Sequence, residues 1–245
     1  FNNSGVISVS FESSSQLASI GSYAFKRASA LTTIAIPDTV TTIGTYAFAY
    51  ATALTSIAIP DLVTSIGEGV FEKATSLNSI TFGTGSLLNT IEYYAFYETA
   101  LTTIAIPDLV TTIGNESFYG TTDLNSITFG TGSQLNSIGD YAFRYVISLN
   151  SVYIPSGVTA IAATAFNGAT ALTRVYLTED LTIDGTTYAI GTSGSFFGAD
   201  DVSFEEPPLE PLPLQPQPLP SLPICFPAGT PVTTDQGPVA IEKIN

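Results

Sequence analysis

One spacing recurs along most of this chain, an isoleucine followed five residues later by a phenylalanine. The isoleucines of successive copies are 23, 23, 25, 22, 25 and 23 residues apart. The copies are Ile20–Phe25, Ile43–Phe48, Ile66–Phe71, Ile91–Phe96, Ile113–Phe118, Ile138–Phe143 and Ile161–Phe166. A unit of this size cannot bury its own apolar face, whereas stacked copies bury a continuous core. The spacing therefore predicts a repeat solenoid.

A second pattern, Leu-x-x-Ile-x-Ile, lies between these anchors and predicts one short strand in each repeat. Apolar residues two apart, with Thr, Ser or Ala between them, place one face of a strand in a core. A proline follows the pattern in four copies and would end the strand, because it cannot donate a ladder hydrogen bond. These prolines are Pro37, Pro60, Pro107 and Pro155. In two copies, Gly83 or Gly130 opens a longer turn instead, which explains the 25-residue steps.

The full repeat, L-x-x-I-x-I-P-x-x-V-x-x-I-G-x-x-A-F, resembles the BspA-like class of leucine-rich repeat. The copies LTTIAIPDTVTTIGTYAF (31–48) and LTTIAIPDLVTTIGNESF (101–118) carry it almost letter for letter. The resemblance implies a β-rich solenoid over residues 1–204, with parallel short strands joined by turns and short helical or 3-10 segments. We expect about 7–8 coils of ~23 residues, spaced about 4.8 Å apart, in a rod of roughly 35–40 Å.

The sequence departs from that family at one position of each repeat. Family members often place Cys three residues after the repeat Phe, where a small or modest side chain stands here. We expect these side chains to fill the same core slot without changing the fold. They are Ala28, Ala51, Ala74, Thr99, Thr121, Val146 and Ala169.

The two ends of the predicted solenoid differ. Val6, Val9 and Phe11 align with the strand pattern, so the first coil lacks a polar cap, and an uncapped apolar coil favours aggregation. We expect that earlier repeats were removed or that a partner covers this coil, which also allows end-to-end self-association. The sequence starts at Phe1 and shows no signal peptide, which we interpret as a fragment or processed product. The residues predicted to close the other end are Phe196, Phe197, Val202 and Phe204.

Two further segments follow the repeats. Residues 205–224 contain eight prolines in twenty positions, which predicts a polyproline II linker of about 60 Å. A proline-rich ligand for SH3-type grooves is the alternative, although the usual basic anchor residue is missing. Residues 225–245, CFPAGTPVTTDQGPVAIEKIN, resemble the opening block of Hint domains, the autoprocessing modules of inteins and hedgehog-type proteins.

The Hint resemblance implies a specific role for one cysteine. Cys225 would attack the Ile224 carbonyl and convert the peptide bond into a thioester, since a thiol is a strong nucleophile and a good leaving group. The Thr-x-x-His block and the terminal His-Asn pair of the family are missing, and the chain has no His at all. Residues 225–245 are therefore interpreted as an incomplete start of the domain, and we predict no appreciable autoprocessing by this chain alone.

Composition excludes several other functions. Six Lys and Arg face 21 Asp and Glu, a net charge of −15, so the basic surface that nucleic acid requires cannot form. Without His, triads and His-ligated metal sites are excluded, and the single Cys excludes a disulfide framework. No apolar run approaches the roughly 20 residues of a membrane span. We expect no cofactor and no membrane insertion.

Three groups of residues are candidates for binding. Outward strand positions form a flat, uncharged face with Thr33, Ser56, Ser79, Thr103, Ser126, Tyr153 and Tyr176. Tyrosines two residues before the repeat Phe form a stripe with Tyr23, Tyr46, Tyr94 and Tyr141, which either contacts a partner or covers the gaps between coils. Asp38 and Asp61 share one position in neighbouring coils and are a weak Ca²⁺ candidate, with hydration at a turn as the alternative.

These features predict a non-catalytic binding or structural module within a larger precursor. We expect a protein or glycan ligand, adhesion or display as its role, and an extracellular, cell-surface or particle-surface location. The alternative is the N-terminal portion of a self-cleaving or self-splicing protein, in which a complete Hint domain releases or transfers the repeats. A downstream Thr-x-x-His and His-Asn would favour this alternative.

Overall fold

The structure is a computed structural model that describes residues 1–208 and two strands, Pro231–Thr234 and Gly237–Ala240. The chain divides into two compact units, Phe1–Pro207 and Pro208–Asn245. The first unit is a solenoid of parallel coils, as the repeat predicts. No helix in the described part of the chain is long and apolar enough to span a bilayer.

The Leu-x-x-Ile-x-Ile pattern forms the first strand of each coil. These strands pair in parallel two by two, with equivalent residues opposite each other, for example Ile57 with Ile80 and Ile104 with Ile127. Along each strand the Ile side chains are buried and the small residues between them are exposed. These strands are β1 (Ser8–Val9), β3 (Thr33–Ile34), β5 (Ser56–Ile59), β7 (Ser79–Phe82), β9 (Thr103–Ile106), β11 (Ser126–Phe129), β13 (Ser151–Tyr153) and β15 (Arg174–Tyr176).

A two-residue strand at the repeat Ile forms the second side of each coil. The corner before it is a tight turn, in which the N–H of Val40 donates to Pro37 and that of Val63 donates to Pro60. The prolines therefore end the first strand, as predicted. Five of the second strands form one continuous parallel sheet in the order β14, β12, β10, β8, β6. The strands are β2 (Ser19–Ile20), β4 (Thr42–Ile43), β6 (Ser65–Ile66), β8 (Thr90–Ile91), β10 (Thr112–Ile113), β12 (Ser137–Ile138) and β14 (Ala160–Ile161).

The third side of each coil is a run of turns, where the fold prediction allowed short helical or 3-10 segments. In six of the seven coils the residue two before the repeat Phe has a positive φ, for example +55° at Tyr46, whereas Thr164 in the last coil does not. This left-handed backbone costs a non-glycine residue roughly 1–2 kcal/mol. The coil-to-coil ladder offsets that cost, because the Tyr46 N–H donates to Glu68 and the Phe48 N–H to Val70.

The repeat phenylalanines form one continuous stack through the core. Adjacent rings from Phe25 to Phe166 are nearly parallel, with centroids 5.1–5.6 Å apart. The slot that often holds Cys in the family is buried in every coil, which confirms the expectation from sequence. Thr99 and Thr121 fit this slot because both hydroxyls donate to the Phe96 carbonyl, at 3.1 and 3.0 Å.

The C-terminal end of the solenoid is closed by antiparallel strands. Strand β19 (Ala199–Glu205) pairs in parallel with β15 and in antiparallel with β18 (Ser193–Phe196). Phe196, Val202 and Phe204 are buried there, as predicted, and Phe197 is half-buried. A hairpin of β16 (Leu181–Ile183) and β17 (Thr186–Tyr188) precedes this cap.

The first coil has no equivalent cap within the described residues. Strand β1 pairs with β3. The ring of Phe1 stacks on Phe25 at 5.3 Å and remains 68% exposed, and Ile7 is 64% exposed. Val6, Val9 and Phe11 are only partly buried, which agrees with the apolar first coil expected from the sequence.

The second unit contains one antiparallel strand pair, β20 (Pro231–Thr234) with β21 (Gly237–Ala240). Ile224, Cys225 and the Pro-rich residues 209–224 lie outside the described residues. The thioester prediction and most of the linker therefore stay predictions from sequence.

Candidate binding surfaces

The outward positions of the first strands form one surface, which we call the strand face. It consists of two rows of small side chains in direct register, such as Ser56 opposite Ser79 and Ala58 opposite Thr81. The structure places all seven predicted strand residues here. Thr33, Ser56, Ser79 and Thr103 are exposed, and Ser126, Tyr153 and Tyr176 are half-buried.

The strand face changes character near its C-terminal end. Tyr153 lies opposite Tyr176, which in turn lies opposite Glu205. The Nε of Arg174 is 3.4 Å from the Glu205 carboxylate, which also accepts a 2.8 Å hydrogen bond from Ser203. One end of the face is therefore aromatic and charged, and the rest carries hydroxyl and methyl groups.

The exposed side chains of the turns around each repeat Phe form a second surface, the turn face. It holds nine of the 12 tyrosines, namely Tyr23, Tyr46, Tyr50, Tyr93, Tyr94, Tyr97, Tyr119, Tyr141 and Tyr145. The predicted stripe is not continuous: Tyr23 stacks on Tyr46 at 5.7 Å, but Gly69 takes the next position. A side chain at Gly69 would overlap the Tyr46 ring, so the ring covers the next coil.

Four of the five cations in residues 1–208 also lie on the turn face. Lys26 lies 5.1 and 4.9 Å from the ring centres of Tyr23 and Tyr46. The Arg144 guanidinium lies 4.7 Å from two rings, those of Tyr141 and Tyr145. Cations at such distances are attracted to the ring faces. Arg27 and Lys73 make similar contacts with Tyr50.

Several carboxylates of the turn face also have hydrogen-bond or ion-pair partners. Glu68 accepts a 2.7 Å hydrogen bond from the Tyr46 hydroxyl, and Glu72 accepts one of 3.3 Å from Tyr50. Lys73 lies 3.7 Å from Glu98. Burial and the bond to Glu68 raise the pKa of Tyr46 above its ordinary value. Many polar groups of this face thus contact one another, although the buried Nε of Arg144 has no hydrogen-bond partner among the described residues.

A third surface is a groove along the corner that follows the first strands. Three depressions of about 390, 620 and 480 Å³ lie in a row over coils one to five and share lining residues. Ile36 and Asp38 line the first two, and Phe82 and Gly83 line the last two. We call this continuous depression the corner groove.

The corner groove is apolar and acidic. Its floor includes Phe11, Ile36, Ile59, Phe82 and Ile106. Its acids are Glu12, Asp38, Asp61 and Asp108, and none of its lining residues within 1–208 is a cation. Leu62, Leu87 and Leu109 line it with 44, 45 and 36% of their surface exposed.

The calcium candidate falls inside this groove. Asp38 and Asp61 line the same depression, but the described residues provide no group of three or more His, Cys, Asp or Glu that could hold a metal. Ca²⁺ takes six to eight oxygen ligands, so two carboxylates alone make a poor site. The Asp61 carboxylate instead occupies the space above Gly83 and Gly85 in the next coil, and Asp108 does the same above Gly130 and Gly132.

From the sequence, Asp38 and Asp61 are paired only as a calcium candidate, and the groove is not identified. One signal was present: an Ile-Pro-Asp-Leu corner is followed in the next coil by Gly-Thr-Gly-Ser, at Asp61 and again at Asp108. The alternation pairs an acid with a glycine turn that makes room for it. The sequence does not reveal that the corners join into one groove, because that depends on how the coils stack.

Comparison with known proteins agrees with this architecture. The family described as the BspA type leucine-rich repeat region matches residues 1–92 and 89–190 in six copies. The chain matches no curated protein sequence.

Solved structures show the same fold. The pneumococcal vaccine antigen PcpA is similar with a TM-score of 0.56 and 26% identity over 76% of this chain. The chain covers 47% of that protein, about half its length. A leucine-rich repeat protein of T. pallidum is similar with a TM-score of 0.51 and 22% identity, covering 80% of this chain and 78% of that one. With seven stacked repeats and a family match over most of its length, this chain belongs to the BspA-type leucine-rich repeat family.

Proposed function

We propose that this chain is a non-catalytic binding module that presents its strand face to a protein or glycan, as part of a larger surface protein used in adhesion or display. The observation that carries the proposal is the register of the outward rows, in which Ser56, Ser79 and their neighbours form an even surface. Small side chains lose little conformational freedom on contact, so a flat partner can dock at low entropic cost.

The similarity to a protein described as a pneumococcal vaccine antigen supports a surface location. The aromatic end of the strand face, with Tyr153 and Tyr176, supports ligand contact, since Tyr is enriched at interfaces.

A binding screen of the whole chain against protein and glycan arrays tests the proposal. The strand-face variant Ser79→Arg/Thr103→Arg introduces two bulky cations at exposed positions without touching the core. We expect it to lose at least tenfold in affinity for any ligand found.

The matched control is Thr42→Arg/Ala160→Arg, which adds the same charge at exposed positions of the second strands. Equal losses in both variants, or no ligand on either array, would contradict the proposed function.

A second candidate function is autoprocessing in a longer protein, with Cys225 as nucleophile and Ile224 as the residue whose carbonyl it attacks. The strand pair Pro231–Thr234 and Gly237–Ala240 directly after this cysteine supports it, because the resemblance to Hint domains implies paired strands there. The test is mass spectrometry of the longest natural precursor. Release of residues 1–224 that is abolished by Cys225→Ala supports autoprocessing, and an intact precursor contradicts it.

A further inference from the structure

The acidic side chains of the corner groove have no partner among the described residues. Among the described residues, no hydrogen bond or ion pair reaches the carboxylates of Glu12, Asp38, Asp61 or Asp108. Each of these residues lines the groove. Four of the first five coils therefore present an unpaired acid along this groove.

Apolar surface accompanies these acids. Leu62, Leu87 and Leu109 are among the most exposed large apolar side chains of the solenoid, and they occupy the corner of three successive coils. The half-buried Phe82 lies between them and connects two depressions. Apolar surface of this kind, bordered by polar groups, is typical of binding grooves.

We propose that the corner groove binds a basic polypeptide segment that carries apolar side chains between its Lys or Arg residues. The acidic side chains of the groove attract the cations of the segment. No Lys or Arg among the described lining residues competes for the same carboxylates. The apolar floor and the exposed leucines favour apolar side chains in the segment, because burial of apolar surface from water stabilises the complex. The groove is a different surface from the strand face, so this proposal goes beyond the proposed function and names a partner class of its own.

The dimensions of the groove limit the length of this segment. The groove runs over five coils, which at about 4.8 Å per coil spans roughly 20 Å. An extended chain advances about 3.3 Å per residue, so about six residues fill the groove. The net charge of −15 adds a long-range attraction that speeds the approach of a basic partner.

Fluorescence anisotropy with labelled eight-residue peptides tests the proposal on the whole chain. The probe alternates Lys and Leu, and the two comparison peptides alternate Lys and Ser, or Glu and Leu. We expect the Lys-Leu peptide to bind at least tenfold more tightly than the Lys-Ser peptide, and the Glu-Leu peptide not to bind. Raising NaCl should weaken binding severalfold, because salt screens exposed charges.

Two variants locate the binding site. Asp38→Asn/Asp61→Asn/Asp108→Asn removes the groove charges, and its control Glu92→Gln/Asp123→Asn/Glu179→Gln removes three exposed charges elsewhere. Leu62→Ser/Leu87→Ser removes the apolar rim, and its control is Ile147→Ser, whose side chain is 47% exposed outside the groove. We expect about a tenfold loss for each groove variant and less than twofold for each control. Circular dichroism verifies that all of them are folded.

Several outcomes would overturn the proposal. Equal affinity for the Lys-Leu and Lys-Ser peptides would reduce it to attraction between net charges, as would equal losses in the groove and control variants. Failure of the Lys-Leu peptide to bind, together with an array ligand that depends on the strand face, would refute the groove proposal and leave the proposed function intact. Peptide binding in the groove with no array ligand at the strand face would support the groove proposal and contradict the proposed function.

Discussion

The turn face and the corner groove are built from the same repeat, yet their charged groups differ. Many charged groups of the turn face contact other side chains, whereas the carboxylates of the groove have no partner among the described residues. On the turn face, Lys26 and Arg144 lie over tyrosine rings, and Glu68 accepts a hydrogen bond from Tyr46. In the groove, Asp38 and Asp108 meet no donor among the described residues. A surface whose polar groups bind one another gains little from a ligand, whereas unpaired groups beside apolar side chains gain more. The comparison therefore indicates a stabilising role for the turn face and supports the proposed role of the groove in recognition.

Truncation of an aromatic ring under each surface tests this assignment most strongly. Phe96 lies fully buried below the turn face, between Phe71 and Phe118, so Phe96→Ala should lower the free energy of unfolding by about 3–5 kcal/mol. Phe82 in the groove is only half-buried, so Phe82→Ala should cost about half as much. Urea denaturation of both variants measures the difference. Equal costs would mean that the groove floor belongs to the core.

Glycine substitution should also destabilise the turn face more than the corner position, but by a smaller amount than ring truncation. Gly69 has a φ of +58° and lies under the Tyr46 ring, so Gly69→Ala should destabilise the chain by about 2 kcal/mol. In Gly130→Ala the new methyl group meets the Asp108 carboxylate, which can rotate away, so the cost should stay below about 1 kcal/mol. Thermal unfolding compares the two. Adding Tyr46→Ala to the Gly69→Ala variant should recover only part of the lost stability, because the positive φ at residue 69 remains strained.

Removal of one charge from each surface should give a smaller difference in stability between the two variants. Lys26→Gln deletes a cation within about 5 Å of two rings and should cost about 0.5–1 kcal/mol. Asp38→Asn in the groove should change the stability by less than about 0.5 kcal/mol, since the carboxylate has no partner among the described residues. Paired urea titrations at low salt check both values. A larger loss at Asp38 would show that the groove acid is structural.

Alkaline pH should affect the turn face but not the groove, whose lining residues include no tyrosine, and this effect should be the smallest. The pKa values of Tyr46 and Tyr97 are raised by burial in the folded chain. Their contribution to stability is therefore fully present below about pH 10, the pKa of an unfolded tyrosine, and is lost as the pH rises above it. Tyr46→Phe should make stability fall less steeply above pH 10. An unchanged slope would contradict the shift, and tyrosinate absorbance measures the titration directly.

The repeat spacing by itself determined the solenoid. Ile and Phe recur at steps that admit only one stacking register, and Pro37 or Gly83 specifies where each first strand ends. The buried slot after each Phe and the C-terminal closure at Phe196 also follow from local residue type. These features are readable because each depends on contacts between equivalent residues of adjacent coils.

Only the tertiary structure decided how charge is distributed over the surface. The left-handed turns at Tyr23 and Tyr46 set where the rings lie, and this places Lys26 above both of them. The groove likewise exists because corners of five coils align, so that Asp38 and Phe82, more than forty residues apart in sequence, line one depression. A single repeat contains neither arrangement, since each is formed by side chains that different coils contribute to one surface.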